Sequence, residues 1–188
     1  MVAPIPVPRE QPGPAAEPAI LIPGIDADGR LFPIEKLEAH RRAVFHLAIS
    51  AFVFDGDALL IQRRALGKYH CGGLWANTCC THPHWGETLD AAARRRLREE
   101  LGFTLPLNVT RVVEYSADVG NDLHEHERVT MFVGHADRRS LAINPNPDEV
   151  AETRWVTGHE LRREIAAAPD RFTPWFRIYV ERFPDLRF

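Results

Sequence analysis

The chain has 188 residues, 45% of them hydrophobic and 26% charged, with a formal net charge of −3. That length suits one domain around one hydrophobic core, and the mildly acidic balance excludes a general electrostatic pull toward nucleic acid or a membrane surface. No run approaches the ~20 apolar residues of a membrane span, and the three cysteines, two of them adjacent, make a poor disulfide framework, so a reducing, cytoplasmic setting is expected. The N-terminus lacks the basic-then-apolar order of a signal peptide.

In chain order, residues 1–18 carry prolines at 4, 6, 8, 12, 14 and 18, a spacing that predicts an extended, disordered tail before a single domain over 19–188. Residues 19–40 read as a short hairpin turning at Asp26–Gly29, followed by a connection. HLAISAFVF and ALLIQRR read as strands joined by Asp-Gly-Asp, the strongest hairpin signal present. LDAAARRRLREEL (89–101) reads as a helix of good helix formers that stops at Gly102. RVVEYSADV and RVTMFVGHA are expected as strands around a loop at Gly120–His124, and ETRWV as another strand. HELRREIAAAP and PWFRIYVERF are expected helices, the second with Pro174 in its first turn. Strands and helices interleave without a regular βαβ period, which predicts an α/β sandwich rather than a doubly wound sheet.

The helix carries the first motif. From Thr81 to Phe103 the sequence resembles the Nudix pattern: a Gly, five residues, a Glu, seven residues, then Arg-Glu-apolar-any-Glu-Glu-any-Gly-apolar. Glu87, Arg95, Leu97, Glu99, Glu100, Gly102 and Phe103 fall in register, while Thr81 and Arg96 replace a Gly and a Glu. Residues 96 and 100 share a helix face. Glu100 can offer a hard oxygen to Mg²⁺, and Arg96 can present a fork of donors to a phosphate. With the carboxylate at 96 lost, diphosphate binding with reduced hydrolytic equipment is implied.

Further donors lie elsewhere. His40 and His46 flank the first core strand, His82 follows Cys80, and Glu125 and Glu127 are two apart, which on a strand places them on one face. Three imidazoles and two carboxylates suit Mn²⁺, Mg²⁺ or Zn²⁺. His70, His84, His135 and His159 read as ordinary surface or core residues. His124 and His126 stay open, because a strand would point them away from Glu125 and Glu127.

EKLEAH, HLAIS, QRRALGK, GLWANTCCTHP, RRRLREELG, EYSADVGNDLHEHE and FTPWF occur in this order. Together they make the chain resemble the type 1 isopentenyl-diphosphate Δ-isomerases, from about Ile20 to Phe183. The resemblance implies a Nudix-type α/β/α sandwich with a mixed sheet in a single domain, and an isomerase that moves a C=C bond in a small prenyl diphosphate by protonation and deprotonation. It implies that Cys80 and Glu127 are catalytic, assisted by Tyr115, with Trp175 closing over the hydrocarbon. It implies a divalent metal on His40, His46, His82, Glu125 and Glu127, and a Mg²⁺ arriving with the diphosphate on Glu100 and the backbone carbonyl of Cys80. Lys36, Arg64, Lys68 and Arg96 are implied as the diphosphate cations. The His40–His46 interval is one residue shorter than in the family's motif, which makes His40 the least anchored of the five. No nucleic-acid or membrane partner is expected, and a monomer is. Two rival readings are a Nudix hydrolase and a structural zinc module on Cys71, Cys79, Cys80 and His82. The first has no use for Cys80 opposite Glu127, and the second lacks paired CxxC spacing.

Overall fold

A computed structural model describes residues 19–184, so the proline-rich tail expected at 1–18 lies outside the described residues. The elements are β1 (Leu21–Ile25), β2 (Leu31–Glu35), α1 (Lys36–Arg41), β3 (His46–Asp55), β4 (Ala58–Arg64), β5 (Trp75–Ala76) and β6 (Cys79–Thr81). They continue with α2 (Leu89–Leu101), β7 (Asn108–Gly120), β8 (Leu123–His135), β9 (Val150–Thr157), α3 (Gly158–Ala167), a 3-10 turn (Pro169–Arg171) and α4 (Pro174–Arg182).

All nine strands form one mixed sheet. β3 is its axis. β8 runs parallel to it from His46↔Glu127 to Phe54↔His135. Its remaining pairings are antiparallel and come in succession: β1 at His46, β6 from Ile49 to Ala51, and β4 at Phe54 and Asp55. The Asp-Gly-Asp hairpin therefore exists but is short, and β4 spends most of its length against β9. At the sheet's far end β2 pairs only with β1, in a register that sets Pro23 opposite Pro33.

Local chemistry fixes the helices. Thr88 caps α2 by accepting from the Ala91 N–H, and Gly102 ends it at φ 76°, where a Cβ is costly. Thr157 and Glu160 form a reciprocal capping box at α3, and Pro174 opens α4. Two expectations are corrected. The connection after the first hairpin is α1, nucleated by the Glu35 carboxylate, which accepts from the N–H groups of Leu37 and Glu38. The loop expected at Gly120–His124 is only Asn121 and Asp122, both left-handed (φ 57° and 56°). A two-residue turn of that shape matches strand twist, so Leu123–Glu127 extend β8.

The strand period of two sorts the core. Ile49, Ala51 and Val53 of β3 face α2, where they pack with Leu97, Leu101 and Phe132. Ala48, Phe52 and Phe54 face the other way and pack with Leu161 of α3 and with Trp175, Phe176 and Tyr179 of α4. Two helical layers thus enclose the mixed sheet.

Candidate active site

The same alternation divides the paired cysteines. Cys79 is fully buried in the core under α2, whereas Cys80 packs on the α4 side and lines a cavity. All three cysteines are free thiols, and the metal-competent cluster among the described residues contains none of them. That leaves the structural-zinc reading without support.

Cys80 is held by its neighbours. Its Sγ lies 2.8 Å from Asn77 Oδ1 and 3.3 Å from Ser50 Oγ. Asn77 has no freedom to turn, because its Nδ2 donates to the carbonyls of Ala51 and Cys79, each at 3.1 Å, so the amide oxygen faces the thiol. Burial pushes the Cys80 pKa up to about 12, with the Ser50 hydroxyl contact opposing it. Across β3, β8 carries Glu127, and β7 sets Tyr115 opposite it in register. The Tyr115 hydroxyl donates to Glu127 Oε2 at 2.5 Å. Burial and the adjacent Glu127 charge hold the Tyr115 phenol well above its ordinary pKa.

Beneath the cavity, three histidines and two carboxylates converge. One ligand atom each from His40, His46, His82 and Glu125 lies within 4.8 Å of the others. Glu127 Oε1 joins them, 2.7 Å from His82 Nε2 and 3.6 Å from His46 Nε2. His40 Nδ1 donates to the Lys36 carbonyl at 2.6 Å and His46 Nδ1 to the Val44 carbonyl at 2.7 Å. A carbonyl only accepts, so each neutral ring presents the Nε2 lone pair inward. His40 Nε2, His46 Nε2 and Glu125 Oε2 are buried without a hydrogen-bond partner, an arrangement costly unless a cation fills it. The donor set fits a divalent metal, and the shortened interval does not displace His40, whose Nε2 stands 3.2 Å from Glu125 Oε2.

The far wall is cationic. Lys36, Arg64, Lys68 and Arg96 all line the cavity, together with Glu100 and Trp175. Lys36 is half-buried near Lys68 and Arg96, and its pKa falls to about 8, chiefly by desolvation. Arg96 reaches Glu100 Oε1 at 2.5 Å, and Gln62 Nε2 donates to the other Glu100 oxygen at 2.7 Å. Lys68 and Arg96 also meet on one oxygen of Glu149, at 2.6 and 2.9 Å. The Trp175 indole is 3% exposed, with the Arg64 guanidinium 5.5 Å from its ring.

Every residue that the resemblance implied for catalysis, the divalent metal or the diphosphate therefore borders this cavity or its floor. Several that were not are equally close. His70 is buried on the cavity wall, with Nε2 3.5 Å from Glu125 Oε1, and burial lowers its pKa to about 3. A single histidine without a spacing partner gives no warning of this placement. Ser50, Gln62 and Asn77 lie inside the quoted motifs but were given no role there, and Glu149 lies in none; all four reach the site through tertiary contacts. His124 and His126 do point away from the metal-competent face: His126 Nδ1 bonds the Ala43 carbonyl at 3.1 Å.

Comparison with known proteins agrees with this geometry. The NUDIX domain family model matches residues 44–176. Isopentenyl-diphosphate Delta-isomerase of Cereibacter sphaeroides is 60% identical over 154 residues, 81% of this chain and 86% of that protein. The enzyme of the same name from Ruegeria pomeroyi is 52% identical over 170 residues, 90% and 93% of the two chains. Among solved structures, DR0079 from Deinococcus radiodurans superposes with a TM-score of 0.67 at 18% identity, covering 86% of this chain and 98% of that one. A MutT NUDIX hydrolase from Burkholderia pseudomallei gives 0.57 at 23%, covering 73% and 96%. These two likenesses speak for the fold alone. The chain belongs to the isopentenyl-diphosphate Delta-isomerase family and is an isomerase built on the Nudix fold.

Proposed function

We propose that the chain interconverts isopentenyl and dimethylallyl diphosphate with Cys80 and Glu127 as the two proton-transfer groups. The observation that carries this reading is convergence: the Cys80 thiol and the Tyr115–Glu127 pair border one cavity whose far wall holds four cations. Lys36, Arg64, Lys68 and Arg96 grip the diphosphate, and that remote binding energy positions the alkene. The unactivated double bond gains a proton at one carbon and loses one from another through a tertiary carbocation-like state, so donor and acceptor must stand apart across a flat hydrocarbon. β6 and β8, on opposite edges of β3, supply them. The Trp175 face stabilises the cation by about 2 kcal/mol when desolvated, and the closed, aromatic wall excludes water that would quench it.

His40, His46, His82, Glu125 and Glu127 would hold Mn²⁺, Mg²⁺ or Zn²⁺, whose charge sets the proton affinity of Glu127. Glu100 and the Cys80 carbonyl would hold the Mg²⁺ that neutralises the diphosphate. A monomer in a reducing cytoplasm completes this reading, and the free thiols suit such a compartment.

The test is ¹H and ³¹P NMR of isopentenyl diphosphate with the purified protein and Mg²⁺ in D₂O. Dimethylallyl diphosphate carrying deuterium, with no free phosphate, is expected. Phosphate release without isomer would make the chain a hydrolase instead.

A further inference from the structure

Four cations on one cavity wall raise a difficulty before any substrate arrives. Like charges repel, and a long, flexible ammonium such as Lys68 loses rotamer freedom when it is held in one place. The cations also come from different elements. Arg96 sits on α2, whereas Lys68 sits in the loop after β4. Arg96 is fixed on its own helix by Glu99 and Glu100, at 2.9 and 2.5 Å, so the side chain that needs placing is Lys68.

Glu149 does this. Its Oε2 accepts from Lys68 Nζ at 2.6 Å and from Arg96 Nη2 at 2.9 Å, so one carboxylate oxygen joins the loop to the helix. The backbone around Glu149 is tied to both carriers. The Glu149 carbonyl accepts from the Ala65 N–H at 2.9 Å, next to Arg64, and its own N–H closes a turn on the Asn146 carbonyl at 3.0 Å. The Asn146 N–H in turn donates to the Glu100 carbonyl at 2.9 Å, at the end of α2. Lys68 and Arg96 line the cavity and Glu149 does not. The carboxylate therefore stands behind the two cations rather than among the groups an incoming anion would meet.

We propose that Glu149 is a positioning residue of the diphosphate site, which brings Lys68 to Arg96 and holds the two together before substrate binds. This rests on the reading of Lys36, Arg64, Lys68 and Arg96 as the diphosphate cations. Glu149 forms no bond to the substrate and moves no proton. It meets in advance the cost of ordering Lys68 and of setting like charges side by side, so the diphosphate enters a formed claw. A carboxylate that only neutralised surplus charge would compete with the substrate, and its removal would tighten binding. Removal of a positioning carboxylate does the reverse, so the sign of one substitution separates the two roles.

Calorimetric titration of the full chain with inorganic pyrophosphate and Mg²⁺ reads the site without the isomerisation chemistry. Glu149→Gln keeps the shape and removes the charge, and its Kd is expected to rise about tenfold, the scale of one charge-assisted hydrogen bond. KM for isopentenyl diphosphate should rise by a similar factor with kcat little changed, the pattern of lost uniform binding. Glu149→Asp keeps the charge but shortens the reach, and is expected to raise Kd by a smaller factor. In a Lys68→Met background, Glu149→Gln should cost far less than it does alone, because the side chain it places is gone. Unchanged or tighter pyrophosphate binding in Glu149→Gln, or a fully additive loss in the double variant, would overturn the proposal. Wild-type protein that binds no pyrophosphate would instead remove the diphosphate reading of the cations, and the proposal with it.

Discussion

The two faces of β3 are made by one stretch of ten residues, yet they do different work. Toward α2 the strand shows Ile49, Ala51 and Val53, which pack with Leu97, Leu101, Cys79 and Phe132. Toward α4 it shows His46 and Ser50 at the site end and Phe52 and Phe54 beyond them. One face supplies cohesion, and the other gives up part of its apolar area to place a thiol contact and a metal donor. Chemistry and stability are thereby separated by a half-turn of the backbone rather than by distance. Cys79 and Cys80 show this at the level of two adjacent residues.

That contrast can be broken from either side. The largest effect is expected from Cys80→Ala, which should lose about 10³-fold in isomerisation, within the range for a positioned acid–base group, while still folding and binding metal stoichiometrically. Cys79→Ala is its mirror: activity kept, and stability lowered by about 1 kcal/mol, typical of a small core deletion. Loss of metal from Cys80→Ala, read by elemental analysis, would return the paired cysteines to a structural role.

Next in size is Leu97→Ala. The side chain, on the inner face of α2, is fully buried, and its truncation should cost about 2–5 kcal/mol in denaturant unfolding. The activity per folded molecule should stay near wild type. A large drop in that specific activity would show that the two faces are coupled.

A smaller effect concerns pH. Lys36 is charged in the folded protein only below about 8, so kcat/KM should fall as pH passes that value, by about tenfold for one charge-assisted contact to the diphosphate. The stability term has the opposite sign. Between about 8 and the ordinary 10.5 the unfolded chain binds more protons at this lysine than the folded one, so its contribution to stability rises with pH. Lys36→Met should flatten the kinetic limb. A limb that persists in this variant would assign it to another group.

Much of this was legible in the sequence because it was local or repeated. α2 declared itself by propensity, a cap and a glycine stop, and the strands of the core by alternation. What escaped was decided by tertiary contact. β5 and β6 have two and three residues, too few for any period, and exist because β4 and β3 offer them an edge. α1 has six residues and depends on a single glutamate cap. Glu125 and Glu127 were visible as a spaced pair, but Asn77, Ser50 and His70 became meaningful only when β6, β3 and the loop before β5 met. The metal-competent cluster was read through family resemblance as much as from spacing.

The opposed prolines of the first hairpin carry a consequence for how the molecule behaves in company. In an antiparallel ladder, residues facing each other either exchange both N–H···O bonds or point their N–H groups away. Proline has no N–H, so Pro23 and Pro33 belong to a pair of the second kind. The donor that Pro33 lacks is thus missing from the outer side of β2, the strand at the sheet's end. A second chain approaching that rim as an added strand finds a gap where it needs a partner. The missing hydrogen sets the rim against strand addition, and the hairpin packs its inner face, Ile22 and Ile34, against Ala39 of α1.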